Sequence, residues 1–330
     1  MSPVVPPREL QLEVTGACNL RCHMCLVRYR PSLDRHEASL DLAQFRALVD
    51  ALPDLECVTL QGLGEPLMAP DLLPMLEYGR TRGIRMGFNT NATLLTAAMT
   101  ERLLDAEPDW LCVSVDGATA ATYESIRDGA RLPRVARNVR RFVARMRERG
   151  ARKPDLSLVT VAMRRNVAEL PALVRLAAEW GVPTLRVQNL SHSFSDCDPA
   201  GAYREIREFA AAEALWPSHD AAAASAFAAA RTLAAELGVV LRLPELDEPP
   251  RQPGAPGCDW PWRSAYVRHD GRVQPCCMLM GGDRAILGDL HESSFAEIWR
   301  SEAYEAFRAA LMTDNPPDVC RGCSMYRGVF

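Results

Sequence analysis

Lysine is nearly absent from this chain, since Lys153 is the only one among its 38 lysine and arginine residues. Arginine therefore supplies positive charge everywhere, and a local excess of arginine says little about function. Such an excess lies at residues 131–149, with helical spacing at Arg134, Arg137, Arg141 and Arg145. A basic stripe can bind phosphate, a peptide leader or RNA, but we interpret this one as the solvated outer face of a helix. The net charge of −4 gives no global attraction to nucleic acid, so we expect no nucleic-acid partner.

Long apolar runs are also lacking. No stretch of about 18 uninterrupted apolar residues occurs, and the amino end shows no basic segment followed by an apolar one. We therefore expect a cytoplasmic protein with no membrane partner. The eleven cysteines suit a reducing compartment, where thiols stay available to metals. At 330 residues and 48% hydrophobic, the chain can form a barrel-sized domain and a smaller one.

Three cysteines near the amino end are spaced C-x3-C-x2-C, and they are Cys18, Cys22 and Cys25. Three thiolates on one loop can hold three irons of a four-iron, four-sulfur cube, which leaves the fourth iron open to a small molecule. An electron-transfer ferredoxin would fill that position. The alternatives are buried core cysteines or a zinc knuckle, but zinc sites usually use two C-x2-C pairs, and this loop offers one.

Polar motifs follow the next three apolar segments. The turn at residues 61–66, Gln-Gly-Leu-Gly-Glu-Pro, combines glycines that allow a close backbone approach with an acid that can accept hydrogen bonds from an ammonium group. Asn-Thr-Asn follows at residues 89–91, and the fourth segment carries Ser114 and Asp116. A turn of this kind, standing alone, is an ordinary connection between a strand and a helix.

Together with the cysteine loop, these motifs resemble the radical S-adenosylmethionine (SAM) superfamily, in which the open iron chelates SAM through its amino and carboxylate groups. The resemblance implies an enzyme that makes a 5′-deoxyadenosyl radical. It also implies that Gly64 and Glu65 meet the amino group of SAM. Other residues would surround the ribose and the carboxylate, namely Asn89, Asn91, Ser114, Asp116 and Arg127. Arg127 lies in Thr-Tyr-Glu-Ser-Ile-Arg at residues 122–127, and it can equally be a solvated helix residue.

Apolar strand patterns alternate with helical ones, which predicts βαβ units and a parallel sheet. The predicted strands are residues 9–14, 57–61, 84–88, 110–115, 156–163 and 184–189. The predicted helices are residues 40–52, 69–82, 94–106, 119–127, 133–149 and 167–180. The resemblance implies an α/β fold, a partial (β/α)6 TIM-like barrel, and parallel sheets of this kind bind ligands at the carboxyl ends of their strands. The candidate residues that follow predicted strand ends are the cysteine loop, Glu65, Asn89, Asn91, Ser114 and Asp116.

A second cysteine group lies at the carboxyl end: Cys258, then Gly271-x4-Cys276, then Cys320-x2-Cys323. It resembles the SPASM extension, or its shorter form Twitch, and we expect one auxiliary 4Fe–4S cluster on these four cysteines. A structural zinc site is the competing interpretation, and Cys277 can replace Cys276. Asp270-Gly271 between two short apolar segments predicts a hairpin. We expect a radical SAM barrel at residues 1–215, a helical extension and linker at 216–250, with proline-rich sequence at 244–256, and the auxiliary domain at 251–330.

The substrate is less determined than the cofactors, because specificity depends on the site and not on the fold. We expect dehydrogenation or epimerisation of a small, polar, sugar-like metabolite, with electrons from an external donor such as flavodoxin or ferredoxin. Radical modification of a ribosomal peptide is the alternative, and an electron carrier or a zinc-stabilised binding protein is the alternative of another class. Cys197, in a polar segment beyond the sixth strand, can return a hydrogen atom to an epimerised substrate, or it can be a loop cysteine without chemistry.

Overall fold

The computed structural model describes residues 5–29, 38–216, 221–250, 257–279 and 281–330. The last six residues of the predicted proline-rich passage, 251–256, lie outside the described residues. In the described part of the chain, no helix combines the length and the apolar character needed to cross a membrane.

A single ten-stranded sheet, in the order β10-β9-β8-β1-β2-β3-β4-β5-β6-β7, forms the centre of the molecule. The strands are β1 Glu9–Leu12, β2 Cys57–Leu60, β3 Arg85–Thr90, β4 Trp110–Ser114, β5 Asp155–Ala162, β6 Thr184–Asn189, β7 Val240–Arg242, β8 Ser264–Val267, β9 Arg272–Gln274 and β10 Gly288–Asp289. Every neighbouring pair from β8 through β1 to β7 is parallel, and β9 and β10 are antiparallel additions. The predicted α/β fold with a partial parallel barrel is confirmed, and β7 and β8 extend the sheet beyond six strands.

Helices cover the outer face of this sheet. They are α1 Leu26–Tyr29, α2 Leu42–Asp50, α3 Leu72–Thr81, α4 Ala97–Ala106, α5 Ala120–Ile126, α6 Leu132–Glu148, α7 Leu170–Trp180, α8 Arg204–Glu213, α9 Ala221–Leu237, α10 Trp260–Arg263, α11 Phe295–Trp299, α12 Glu302–Leu311 and α13 Asp318–Arg321. Each predicted helix corresponds to one of these. Capping boxes determine where two of these helices begin. Asp41 and Gln44 form the box of α2, and Ser294 and Glu297 form that of α11.

The strands alternate between two environments, because successive side chains of a strand point to opposite faces of the sheet. On β1, Leu10 and Leu12 are buried in the main core, whereas Glu9 and Gln11 line a central cavity. The inner face of the barrel therefore carries polar side chains, among apolar ones such as Trp110 and Val161. The apolar core thus lies between the sheet and the helices, and the inside of the barrel contains a cavity that can bind a ligand.

The arginine-rich helix α6 pairs with acids of α4. Arg145 contacts Glu101 at 2.6 Å, and Arg149 contacts Asp105 at 2.7 Å. Leu132, Val135, Val139 and Phe142 occupy the buried face of the same helix. The interpretation of the stripe as an outer helix face agrees with these contacts.

The carboxyl-terminal segment joins the barrel sheet. The predicted hairpin is present as β8 and β9, and Gly271 in its turn has φ +82°, a left-handed conformation that favours glycine. Strand β8 also pairs in parallel with β1, with Leu12 opposite Val267. The segment that carries the second cysteine group is thus fixed to the strand that precedes the first one.

Candidate active site

The loop with Cys18, Cys22 and Cys25 follows β1 and is held on both sides. The amide of His23 donates to the carbonyl of Ile126, the last residue of α5, at 2.9 Å, and the amide of Arg21 donates to that of Asp128, two residues further on, at 3.0 Å. Burial raises the pKa of Cys18 to about 11 and that of Cys22 to about 12. Because iron binds thiolates, loading of this loop must release protons.

The glycine-rich turn lies directly against this loop. A Cβ on Gly64 would lie 2.1 Å from the carbonyl oxygen of Thr15 and 2.7 Å from that of Ala17. The next amide, of Glu65, donates to the Ala17 carbonyl at 2.8 Å. Glycine at position 64 is therefore required by the close passage of the cysteine loop.

Glu65 is buried and anchors neighbouring backbone. Its carboxylate accepts hydrogen bonds from the Thr90 hydroxyl (2.6 Å), the Asn91 amide (2.8 Å) and the Leu67 amide (3.2 Å). Two of these donors reach Oε1 and one reaches Oε2, so Oε2 keeps a lone pair for one more donor. The predicted contact with the ammonium group of SAM has room only at that oxygen.

Asn91 connects the end of β3 to the cysteine loop. Its side-chain amide donates to the Asn19 side chain at 3.0 Å, and Asn19 in turn donates to Thr93 at 2.8 Å. Its Oδ1 accepts from the Thr93 amide at 2.9 Å. Since its side chain is occupied by these bonds, Asn91 fixes the loop position in this structure, and its predicted contact with SAM stays a prediction.

Asp116 and Arg127 form a buried ion pair beside the cysteine loop. The Nε of Arg127 donates to Asp116 at 2.6 Å, and Nη1 lies 3.9 Å from the sulfur of Cys22. The other oxygen of Asp116 accepts from the Val161 amide at 2.7 Å. Arg127 is thus a buried residue of the site and not a solvated helix residue, and Asp116 holds it in place.

A cavity of about 960 Å³ fills the inside of the barrel below these motifs. Of the residues predicted to bind SAM, it is lined by Asn89, Ser114 and Arg127, together with Met24 of the cysteine loop. Other residues line the cavity without having been predicted to do so from the sequence, among them Arg186, Gln188, Tyr266 and Cys277. The cavity therefore lies between the first cysteine loop and the carboxyl-terminal segment.

Cys197 is not among the residues that line this cavity. Its backbone carbonyl accepts from Arg207 at 2.5 Å, and its side chain packs in a small apolar cluster with Phe194 and Ile206. Burial raises the pKa of its thiol. The geometry gives no support to Cys197 as a hydrogen donor, and that role stays a prediction.

The carboxyl-terminal cysteines converge in a small apolar cluster of their own. Cys258, Cys276, Cys277, Cys320 and Cys323 all lie in it, with Phe307 and Leu311 beside them. Cys276 is near enough to the other four for their charges to act on it, and burial raises its pKa well above the ordinary value. Of the five, only Cys277 lines the barrel cavity. Both cysteines lie in the cluster, so the choice of Cys276 over Cys277 as the ligand stays a prediction.

The donor sets fit iron–sulfur clusters. All seven predicted ligands are cysteines, and soft thiolates select iron–sulfur clusters or zinc. No disulfide links any of the eleven cysteines, so their sulfurs are available. A single zinc ion needs its sulfur ligands about 3.8 Å apart. Across the described ranges, no three Cys, His, Asp or Glu side chains are grouped for one metal ion.

Glu13 connects the two cysteine-bearing regions at the wall of the cavity. Its carboxylate accepts from the Leu63 amide (2.8 Å) and the Tyr266 hydroxyl (2.7 Å), and it contacts Nδ1 of His269 at 2.6 Å. A Cβ on Gly62 would lie 2.3 Å from Cγ of Glu13. One buried acid therefore joins β1, the glycine-rich turn and the carboxyl-terminal hairpin.

Comparison with known proteins identifies two domains. Residues 12–177 match the radical SAM superfamily, and residues 258–324 match SPASM, an iron-sulfur cluster-binding domain. The chain belongs to the radical SAM superfamily and carries a carboxyl-terminal SPASM domain. It is an enzyme that uses a 4Fe–4S cluster and SAM, and its SPASM domain binds auxiliary iron–sulfur.

Several relatives match over nearly the whole chain. A tungsten-containing aldehyde ferredoxin oxidoreductase cofactor-modifying protein of Pyrococcus furiosus is 26% identical, covering 96% of this chain and 87% of that protein. The PqqA peptide cyclase of Xanthomonas campestris pv. campestris is 28% identical, and the match covers 98% of this chain and 81% of that protein. Among solved structures, Streptococcus suis SuiB bound to the precursor peptide SuiA has a TM-score of 0.69 at 16% identity, covering 98% of this chain and 70% of that one. That likeness concerns the fold.

Proposed function

We propose that this enzyme carries out radical modification of a peptide, with the reacting side chain held in the barrel cavity. The carrying observation is that both cysteine-bearing regions border one cavity, through Met24 on one side and Cys277 on the other. When bound, the cluster and SAM supply a 5′-deoxyadenosyl radical that abstracts hydrogen. Electrons come from an external donor such as flavodoxin or ferredoxin.

The size of the cavity supports a substrate of which only a part enters. Ligand pockets of about 300–1,000 Å³ hold one drug-sized molecule. The cavity measures about 960 Å³, at the upper end of that range. With SAM bound beside the cysteine loop, the remaining space would admit a side chain of the substrate, while the rest of a peptide would lie outside the barrel. The full-length similarity to a peptide cyclase supports a peptide more than the sugar-like metabolite expected from the sequence.

A small polar metabolite is the second candidate, because the cavity wall is rich in uncharged polar groups such as Gln11, Asn89, Ser114 and Gln188. Such a wall suits a hydroxylated ligand as well as a peptide side chain. In that case the reaction would be the dehydrogenation or epimerisation predicted from the sequence.

Substrate-dependent cleavage of SAM separates the two. The anaerobically reconstituted protein is incubated with SAM, dithionite and size-fractionated extract of the source cells, and 5′-deoxyadenosine is quantified. We expect a fraction that raises 5′-deoxyadenosine above the level without extract and loses this effect after treatment with a nonspecific protease. Stimulation that survives the protease and stays in the fraction below about 1 kDa would contradict the peptide and favour the metabolite. The protease-treated fraction is tested with its protease inactivated, so that the enzyme itself stays intact.

A further inference from the structure

Arg186 on β6 lines the barrel cavity without an anionic partner. Its Nε is buried and has no hydrogen-bond partner. Within the described residues, its guanidinium forms no ion pair or side-chain hydrogen bond. A partly buried cation in this state is costly unless a ligand or solvent satisfies it.

Strand geometry explains why Arg186 points inward. Its neighbours Leu185 and Val187 are buried in the main core on the helical side of the sheet. Because side chains alternate along a strand, Arg186 and Gln188 face the cavity together. The placement is thus built into the strand and does not depend on a surface loop.

A second arginine stands next to it on the edge strand. Arg186 is paired in register with Arg242 of β7, so the two side chains leave the sheet on the same face. Arg242 is exposed at the edge of the sheet and is not among the residues that line the cavity, and it has no ion pair or side-chain hydrogen bond among the described residues. Because Arg242 is exposed, solvent screens its repulsion of Arg186. An anion between the two guanidinium groups would be attracted by both charges.

The three acids that line the cavity, Glu9, Asp109 and Asp155, form no ion pair with Arg186. Arg186 shares a hydrogen-bonded row with Val159 of β5 and Ser114 of β4. Asp155 stands four residues before Val159 on the same strand, about 13 Å away at the rise of a β-strand. Glu9 is paired with Arg263 at 3.3 Å, and Asp109 with Lys153 at 2.6 Å. The row that contains Arg186 therefore holds no acid: its other members are Ser114, Val159 and Arg242.

From this juxtaposition, we propose that Arg186, assisted by Arg242, binds a carboxylate or phosphate group of the substrate inside the barrel. The planar fork of a guanidinium matches either oxyanion with two parallel hydrogen bonds. The inference rests on the proposed function in that the substrate occupies this cavity, and it adds that the substrate is anionic. An acidic side chain or a peptide carboxylate supplies such a group, and so does a phosphorylated metabolite.

Calorimetry with simple anions tests this subsite directly. Glutarate, inorganic phosphate and the uncharged glutaramide are titrated into the reconstituted protein at low salt. Wild type and Arg137→Gln, which removes an exposed arginine of α6, are compared with Arg186→Gln, Arg186→Lys and Arg242→Gln. We expect glutarate or phosphate to bind wild type and Arg137→Gln alike, and glutaramide not to bind.

Arg186→Gln should weaken anion binding at least about tenfold, because charge-assisted hydrogen bonds are lost. Arg242→Gln and Arg186→Lys should weaken it less, since each keeps part of the charge. Stronger binding of glutarate assigns a carboxylate, and stronger binding of phosphate assigns a phosphate. Equal affinities of wild type and Arg186→Gln, or no anion binding to wild type, would overturn the proposal. If Arg186→Gln does not fold, the anion affinity of Arg242→Gln is compared with that of wild type instead, and equal affinities would overturn the proposal.

The result is independent of the test of the proposed function. That function fails if no protease-sensitive fraction stimulates 5′-deoxyadenosine formation by wild type. The anion subsite fails if calorimetry shows no role for the two arginines. Either failure is visible without the other.

Discussion

Replacement of Glu13 by alanine tests how the two cysteine-bearing regions are held together. The change removes the acceptor for the Leu63 amide, the Tyr266 hydroxyl and Nδ1 of His269, all within 2.8 Å. Each buried donor left without a partner costs about 1–3 kcal/mol. The three losses are coupled and do not add fully, so the expected total is about 3–5 kcal/mol. We therefore expect Glu13→Ala to lower the free energy of unfolding by about 3–5 kcal/mol.

Urea denaturation of the anaerobically reconstituted protein, followed by tryptophan fluorescence, measures this loss. Glu56→Ala is the matched control, because Glu56 forms an exposed salt bridge with Arg8 and both side chains are at least 60% exposed. Exposed pairs contribute about 0–1 kcal/mol, so the control should stay close to wild type. A loss below about 1 kcal/mol for Glu13→Ala would refute the role of this carboxylate as the link between the two regions.

Further predictions concern the turn, the buried ion pair and pH. Gly64→Ala should lower the iron content of the protein, because the new Cβ would lie 2.1 Å from the Thr15 carbonyl oxygen. Gly201→Ala is the control and should keep the wild-type iron content, because the nearest atom to its Cβ lies 3.2 Å away. Equal iron contents of the two variants would contradict this prediction. Arg127→Met should lower the free energy of unfolding by about 3–5 kcal/mol, because it leaves Asp116 buried without its cation, and an unchanged urea midpoint would exclude this. Burial raises the pKa of Glu169, but hydrogen bonds from the start of α5 outweigh it and hold the pKa below its ordinary value of 4.5. The ionised Glu169 therefore stabilises the fold above pH 4.5, and this stabilisation is lost as the pH falls through the folded-state pKa. Glu169→Gln should lower the free energy of unfolding most near neutral pH. A loss that grows on acidification would refute this prediction.

Much of the fold follows from local patterns. All six predicted strands exist, because apolar runs bounded by turn residues are a strong signal even when the inner face is polar. Strand β7 escaped prediction because it has three residues, too few for a period to show. The pairing of β8 with β1 joins residues about 250 positions apart, and no local pattern encodes such a contact.

The candidate site was likewise predicted in part from the sequence. Spacing located the cysteine loop and the glycine-rich turn, since both are local motifs. The bonds that Glu65 and Asn91 make with distant backbone depend on how three loops meet, and spacing does not contain that information. Arg186 had a usable signal, because an arginine between the two core residues Leu185 and Val187 must face the other side of the strand.

The central claim is that Cys18, Cys22 and Cys25 hold the cluster at which SAM is cleaved. The direct measurement is 5′-deoxyadenosine formed from SAM and dithionite by the reconstituted wild type and by the triple alanine variant, with iron determined on the same samples. Cys57→Ala is the control, because Cys57 lies on β2 and not on the loop. With one auxiliary cluster remaining, the triple variant should keep about half of the iron and form no 5′-deoxyadenosine, whereas the control should match wild type. Cleavage of SAM by the triple variant at the wild-type rate would contradict the account.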